Sequence, residues 1–202
     1  KIVFDIGGTS TRVADVSDGS IRNILKIKTP QASADGLKTL SHMIGEVSRG
    51  DVEVIVGGVA GVISREGVIE KSANLKNWEG ADLLDYLKKN VSPHAYVAND
   101  ALMAGLGEAA YGAGKDYSIV GYIGFGTGIG GSRIRDKKID RSIDFEPGHH
   151  IIDLDRNLTW EEELSGQILE ENQVHNPQEM KPEVYTKYIH IIAAGVYTST
   201  LL

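Results

Sequence analysis

An α/β fold built from two related units is what this sequence predicts, and three observations carry the prediction. Short apolar runs with strand character alternate with segments of helical spacing. Two stretches, Phe4 to Arg12 and Tyr122 to Ser132, each run from a strand through a Gly-Thr turn into a hairpin, a loose internal repeat for which a chance match of two glycine turns is the alternative. The 24 glycines of the 202-residue chain are clustered at such turns and not scattered. A chain of this length forms one large domain or two small ones.

The elements follow in order. Ile2 to Ile6 is a short apolar run ending in Gly7-Gly8, a buried strand entering a tight turn. Arg12 to Val16 and Ile21 to Ile27 flank Ser17-Asp18-Gly19-Ser20, a hairpin signal, so the chain opens as a three-stranded meander that Pro30 ends. Leu37, Leu40, Ile44 and Val47 recur at helical spacing over 35–47. Val52 to Val56 reads as a buried strand stopped by Gly57-Gly58, followed by a loop and short hairpin around Glu66-Gly67. A short helix over 81–89 and a strand over 95–98 lead to Asn99-Asp100, which can cap a helix over 101–110. A boundary near Gly112 to Lys115 divides the chain into 1–112 and 113–202. In the second part, 117–123 is a strand, Gly124 to Gly131 a glycine loop, 132–135 and 139 onward a hairpin, and 161–171 and 179–202 are helices.

Composition narrows the function classes. The apolar fraction is 41% and the charged fraction 24%, ordinary for a globular protein. With 21 Lys and Arg against 28 Asp and Glu the net charge is −7, which argues against nucleic acid or an anionic membrane as partner. There is no cysteine, so disulfides, thiol catalysis and thiolate metal sites are excluded. No apolar run approaches a membrane span and no signal-peptide pattern precedes the first strand, so a cytoplasmic location is expected.

The glycine turns carry the first chemistry. Glycine lets backbone N–H groups approach an anion closely. In Asp5-Ile6-Gly7-Gly8-Thr9-Ser10-Thr11-Arg12, Thr9 and Thr11 can add hydroxyl donors, Asp5 can hold Mg²⁺ through water, and Arg12 can balance phosphate charge. A plain hairpin turn is the alternative, and no Walker A lysine follows. Gly124 to Gly131 is denser in glycine than a turn requires; a β-bulge or barrel-like corner is its alternative. Asp100 stands at the C-terminal end of a strand, where α/β folds place ligand sites, and can act as a general base for an alcohol with Asn99 orienting it; simple capping is the other reading. Glu146-Pro147-Gly148-His149-His150 suits hydrogen bonding to vicinal hydroxyls better than zinc, since adjacent side chains diverge. Glu161-Glu162-Glu163 reads as a solvated helix start, and Trp78 and Trp160 as core residues or walls of a sugar pocket.

These motifs, taken in order, resemble the ROK family of sugar kinases and sugar-responsive repressors. The resemblance rests on Asp5-Ile6-Gly7-Gly8-Thr9, Ala73-Asn74-Leu75-Lys76-Asn77-Trp78, Asn99-Asp100, Gly126-Thr127-Gly128-Ile129-Gly130-Gly131, Glu146-Pro147-Gly148-His149 and Glu161-Glu162-Glu163-Leu164-Ser165-Gly166. It implies the actin-like, ribonuclease-H-like ATPase fold, with two lobes and a central cleft. It implies ATP and Mg²⁺, with Asp5, Gly7, Gly8, Thr9, Thr11, Arg12, Gly126, Thr127 and Gly128 handling phosphates and metal. Asp100 would deprotonate the sugar hydroxyl, and Gly61, Asn74, Asn99, Glu146, His149 and Glu161 would match the sugar-contacting positions. The implied activity is phosphorylation of a hexose at its 6-hydroxyl, glucose first. An N-acetylhexosamine or broad-specificity hexose kinase, or a non-catalytic sugar-binding regulator, is the alternative.

Three departures from the family pattern qualify the expectation. The usual cysteine cluster for zinc is replaced by Asp153-Leu154-Asp155-Arg156-Asn157-Leu158-Thr159-Trp160, so no structural zinc is expected. Arg141-Ser142-Ile143-Asp144-Phe145 stands where a glycine-rich approach to Glu146 is usual, which loosens inference about the sugar's 2-substituent. The chain reaches Leu202 inside an apolar predicted helix, without the later glycine motif that packs on adenine. The second lobe is therefore expected to be incomplete, and either more chain or a second copy, as in a homodimer, is expected to cover that helix.

Overall fold

In a computed structural model of the protein, residues 1–126, 128–143, 145–164 and 180–200 are described. They form two compact units, Lys1–Met103 and Ala104–Leu202. The boundary expected at 112/113 lies at the far end of the helix in which this division falls.

The first unit is a five-stranded sheet whose strands, in spatial order, are Ser20–Lys28 (β3), Ser10–Ser17 (β2), Ile2–Ile6 (β1), Ile55–Val59 (β4) and Ala95–Asn99 (β7). Strands β1 (Ile2–Ile6), β2 (Ser10–Ser17) and β3 (Ser20–Lys28) form the antiparallel meander read from the sequence. Its second turn places Asp18 and Gly19 at φ 52° and 72°. Positive φ at both central residues matches the right-handed twist of the flanking strands, and Asp-Gly adopts it cheaply. Helix α1 (Ser33–Val47) buries Leu40, Met43, Ile44 and Val47, one face at spacings of three and four.

Strand β4 (Ile55–Val59) pairs parallel with β1 and with β7 (Ala95–Asn99). It begins three positions later than Val52, and Gly57-Gly58 lies inside the strand instead of ending it. The reason is tertiary. A Cβ on Gly57 would run into the Phe4 ring, and one on Gly58 would sit 3.0 Å from the Asp100 Cα. Both glycines are packing requirements of the sheet. The short hairpin of β5 (Val62–Ile63) and β6 (Ile69–Lys71), with Gly67 at φ 87°, and α2 (Leu83–Asn90), capped by the Asp82 carboxylate on Asp85 N–H at 2.9 Å, complete the unit before α3 (Asp100–Tyr111). The core joins Ile2, Phe4, Ile6, Ile55, Leu83 and Leu87 to Trp78. Trp78 is buried, its indole N–H donates to Pro30 O at 2.9 Å, and its ring fills the space where a Cβ on Gly36 would stand.

The second unit centres on β8 (Ile119–Phe125), β9 (Ile129–Arg135) and β10 (Lys138–Ile139), an antiparallel sheet in the order β10-β9-β8. The expected glycine loop is thus mostly strand: Gly124 ends within β8, Gly130 and Gly131 lie in β9, and the turn is confined to 126–128. A Cβ on Gly131 would meet the Pro147 ring at 2.6 Å. A 3₁₀ turn at Pro147–His149, the pair β11 (Ile151–Asp153) and β12 (Leu158–Thr159), α4 (Trp160–Leu164) and α5 (Pro182–Thr200) follow. The helix expected over 161–171 is seen only as far as Leu164; the remainder lies outside the described residues. Trp160 is fully buried, edge-on to Phe125 at 5.4 Å, and Trp78 is buried as well, so both tryptophans are core residues. No described helix is long and apolar enough to cross a membrane.

Candidate active site

The first unit gathers most of the expected site at the C-terminal ends of its parallel strands. Asp5, on β1, stands in register with Arg12 on β2 and with Gly58 on β4. Arg12 donates to Asp5 Oδ2 at 2.7 Å, and both side chains are partly exposed. Arg12 is therefore held by Asp5, and one Asp5 oxygen is engaged.

The β1–β2 turn is closed by Gly7 N–H on Ser10 O at 3.0 Å. It is braced from below by Thr29, whose hydroxyl donates to Gly7 O at 2.6 Å and lies 3.1 Å from the Thr11 hydroxyl. Thr11 is buried and belongs to this brace; it offers no exposed hydroxyl to an anion. Thr9 is exposed at the turn's tip. Gly8 packs against a second segment. A Cβ there would lie 2.5 Å from the Asn74 Cβ and 3.0 Å from the Asn74 carbonyl oxygen. Glycine at position 8 is what lets Asn74, expected at the sugar, approach the turn expected at the phosphates. Thr29 was not among the expected residues, and no local pattern marks it.

Asn99 closes β7 and caps α3: its Oδ1 accepts from Leu102 N–H at 3.1 Å, and its Nδ2 donates to Gly61 O at 3.0 Å. Gly61 holds φ +127°, where a Cβ would strike the Lys71 carbonyl at 2.5 Å, so only glycine fits there. Capping thus falls to Asn99, and Asp100 is the first residue of the helix. The Asp100 Oδ1 accepts from Ala101 N–H at 2.9 Å. Burial raises the Asp100 pKa above the usual carboxylate range, Ala101 N–H opposes the rise, and the Asp5 charge adds to it. A carboxyl that is partly buried, hydrogen-bonded to Ala101 N–H and near a second carboxylate has the properties of a proton acceptor or of half of a cation site.

The second unit holds a smaller cluster around its glycine turn. Gly126 N–H donates to Gly128 O at 2.9 Å, and the Glu161 Oε2 accepts from Ile129 N–H at 2.5 Å. A Cβ on Gly128 would collide with that carboxylate, and one on Gly148 with the Ile129 carbonyl. The Glu146–His149 turn and Glu161 therefore both converge on Gly128–Ile129. Glu146 and His149 are exposed. Thr127, expected at the phosphates, lies outside the described residues.

The three glutamates are not a solvated helix start. Glu161 clamps the turn. Glu162 accepts from Thr159 N–H and hydroxyl, both at 2.8 Å, a capping box. Glu163 is buried with Arg156 and Lys187 as ion partners. Among the described residues no three His, Asp or Glu side chains form a metal-holding group.

Comparison with known proteins identifies the family. Residues 1–159 match the model of the ROK family, and the chain belongs to that family. A glucokinase of Thermotoga maritima is 36% identical over 135 residues, 64% of this chain and 43% of that protein. A polyphosphate glucokinase of Mycobacterium leprae is 33% identical over 158 residues, 74% of this chain and 47% of that one. The crystal structure of a ROK family glucokinase from Streptomyces griseus, in complex with glucose and AMPPNP, matches with a TM-score of 0.73 at 30% identity, over 84% of this chain and 58% of that one. The fold is the actin-like ATPase fold of the ROK sugar kinases. The chain spans about half the length of the curated relatives it matches.

Proposed function

We propose that the protein is an ATP-dependent hexose kinase that phosphorylates glucose at its 6-hydroxyl, with Asp100 as the base. The observation that carries the reading is the state of Asp100: first in its helix, relieved of capping by Asn99, its pKa raised chiefly by burial, and near Asp5 at the sheet's C-terminal end. The glucokinases among the relatives, one with glucose and AMPPNP bound, support the substrate pair. We propose a cytoplasmic location, where ATP and imported hexose meet, and a role at the entry of sugar into glycolysis.

In this reading the 6-hydroxyl gives its proton to the Asp100 carboxylate as its oxygen bonds to the γ-phosphorus, and the bond from that phosphorus to the β-phosphate bridging oxygen breaks. A base at that oxygen acts mainly in the transition state, where the alkoxide character develops. In the first unit the N–H groups of Gly8 and Thr9 are the ones proposed for the phosphates, that of Gly7 being taken by Ser10 O. In the first unit Asn74 and Asn99, with the Gly61 backbone, are the residues proposed for the ring hydroxyls; in the second, Glu146, His149 and Glu161 are the residues that match the family's sugar positions.

The donor set fits a water-retaining Mg²⁺. Asp5 and Asp100 supply two neighbouring carboxylates and no third, as expected for an ion that keeps most of its waters and takes its other ligands from phosphate. When bound, the ion would neutralise phosphate charge. Asp5 is the residue to hold it.

The test is Asp100→Asn and Asp100→Ala in the full-length protein. The Asn variant should lose on the order of 10²- to 10⁴-fold in turnover, the usual range for general acid–base catalysis, with sugar affinity nearly unchanged. Near-normal turnover would sink the assignment. The polyphosphate glucokinase relative favours a second reading for the donor alone. Turnover with polyphosphate in place of ATP decides it. Specificity constants for glucose, mannose, N-acetylglucosamine and N-acetylmannosamine decide the sugar.

A further inference from the structure

One pocket of the first unit lies beside the candidate site, and of its lining residues only Asn74 has a role in the chemistry above. It has a volume of about 380 Å³, within the range of small-molecule sites, and stands between the end of the β3 connection and the 73–78 segment. Its polar walls are Gln31, Asn74, Lys76 and Asn77; its apolar frame includes Pro30 and Trp78, tied together by the Trp78 indole N–H on Pro30 O at 2.9 Å.

Two features define what it can hold. Two side-chain amides with no role at the candidate site, Gln31 and Asn77, each carry a donor and an acceptor in one plane, the pattern that matches vicinal hydroxyls. Lys76 is exposed and has no ion-pair partner among the described residues, and no acidic residue lines the pocket. The nearest acid in sequence, Glu79, has its Oε1 on Ser72 N–H at 2.9 Å. In a chain of net charge −7, a pocket with one uncompensated ammonium and only neutral polar neighbours selects an anion.

We propose that this pocket binds a sugar phosphate, with the Gln31 and Asn77 amides on the hydroxyls and Lys76 on the phosphate. Resting on the kinase reading above, the ligand is the class of product the enzyme makes, and the pocket is a product-sensing site. The wall it shares with the reaction centre is Asn74, whose backbone and Cβ press on Gly8. A ligand against Asn74 therefore bears directly on the glycine turn.

The experiment is calorimetric titration of the full-length protein with glucose 6-phosphate, glucose, inorganic phosphate and tripolyphosphate, repeated for Lys76→Met, Lys76→Arg and Gln31→Ala. Lys76→Met should weaken glucose 6-phosphate binding at least tenfold and leave glucose binding unchanged, with Lys76→Arg close to wild type. Inhibition of turnover by glucose 6-phosphate should be non-competitive with glucose and should weaken by the same factor in Lys76→Met, at unchanged kcat and KM. Inhibition that is competitive with glucose and indifferent to Lys76→Met overturns the proposal, since the product then binds only beside Asp100. Absence of glucose 6-phosphate binding, or tighter binding of phosphate or tripolyphosphate than of the sugar phosphate, overturns it as well. A protein that binds the sugar phosphate through Lys76 yet shows no turnover would instead overturn the kinase reading and leave the site standing.

Discussion

The two glycine turns share a plan and differ in what occupies them. Each joins antiparallel strands, β1 to β2 and β8 to β9, and each has glycines at positions where a side chain would collide. At the first, the collision is with the backbone and Cβ of Asn74, while the turn itself is braced from inside by Thr29 and Thr11. At the second, the collision is with the end of a flexible side chain, the Glu161 carboxylate, which takes the Ile129 N–H. The first turn is a rigid platform whose outward face is left to a ligand. The second already meets an anionic oxygen supplied by the protein. Backbone N–H groups in a glycine turn attract negative charge, and Glu161 demonstrates it within this chain.

The difference gives a pair of substitutions with unequal outcomes. Gly8→Ala forces a methyl against backbone that cannot yield, an overpacking cost of about 1–3 kcal/mol, and displaces Asn74 from the turn. Thermal melting should fall and sugar affinity should fall with it. Gly128→Ala meets only the Glu161 carboxylate, which can swing into water. Its cost should be about 1 kcal/mol or less, the net value of one hydrogen bond. Equal losses in the two variants would mean that the turns are built alike.

Glu161→Gln sharpens the same comparison. The carboxamide oxygen can still accept the Ile129 N–H, so stability should change by about 0.5 kcal/mol or less. If Glu161 also holds a sugar hydroxyl, glucose binding should weaken roughly tenfold, the loss of about 1.4 kcal/mol expected when a charged acceptor becomes neutral. Calorimetric glucose affinity equal to that of the wild type would leave Glu161 as a clamp on the turn and nothing more.

What was legible in the sequence was what local chemistry decides. The meander, the Asp18-Gly19 turn, the α1 stripe and the Asn99-Asp100 boundary all follow from residues near one another in the chain. What escaped was set by distant partners. Gly57-Gly58 looks like a strand stop until Phe4 and Asp100 are beside it. Thr11 looks like a phosphate donor until Thr29 is found beneath it. The run of three glutamates looks uniform, yet its members serve a turn, a cap and a buried ion cluster. Asn99 and Asp100 read as one capping unit, and only the hydrogen bonds divide capping from the group left for chemistry.

The smallest effect expected is also the one with a definite sign, and it sets one carboxylate of each unit against the other. Burial, with help from the Asp5 charge, raises the Asp100 pKa above its ordinary 3.8, against the pull of Ala101 N–H. Below pH 3.8 Asp100 is protonated in both the folded and the unfolded chain. As pH rises through the elevated folded value, the unfolded chain ionises freely while the folded chain must hold a desolvated charge, so stability is lost. Asp100→Asn removes that charge and keeps an acceptor for Ala101. It should therefore melt higher than the wild type at neutral pH, with the difference shrinking as pH falls toward 4. Asp140, in the second unit, is the reverse case. The Ser142 hydroxyl and N–H, followed by Arg135 and Arg133, hold its pKa below 3.8. Its contribution is present above the ordinary value and lost as pH falls through the depressed one. Asp140→Asn should melt lower than the wild type at neutral pH, and that difference too should close on acidification. Melting curves of both variants between pH 4 and 8 test the pair. A lower melting point for Asp100→Asn at pH 7 would mean that the Asp100 carboxylate is stabilised by partners, and that a group so stabilised is a poor base.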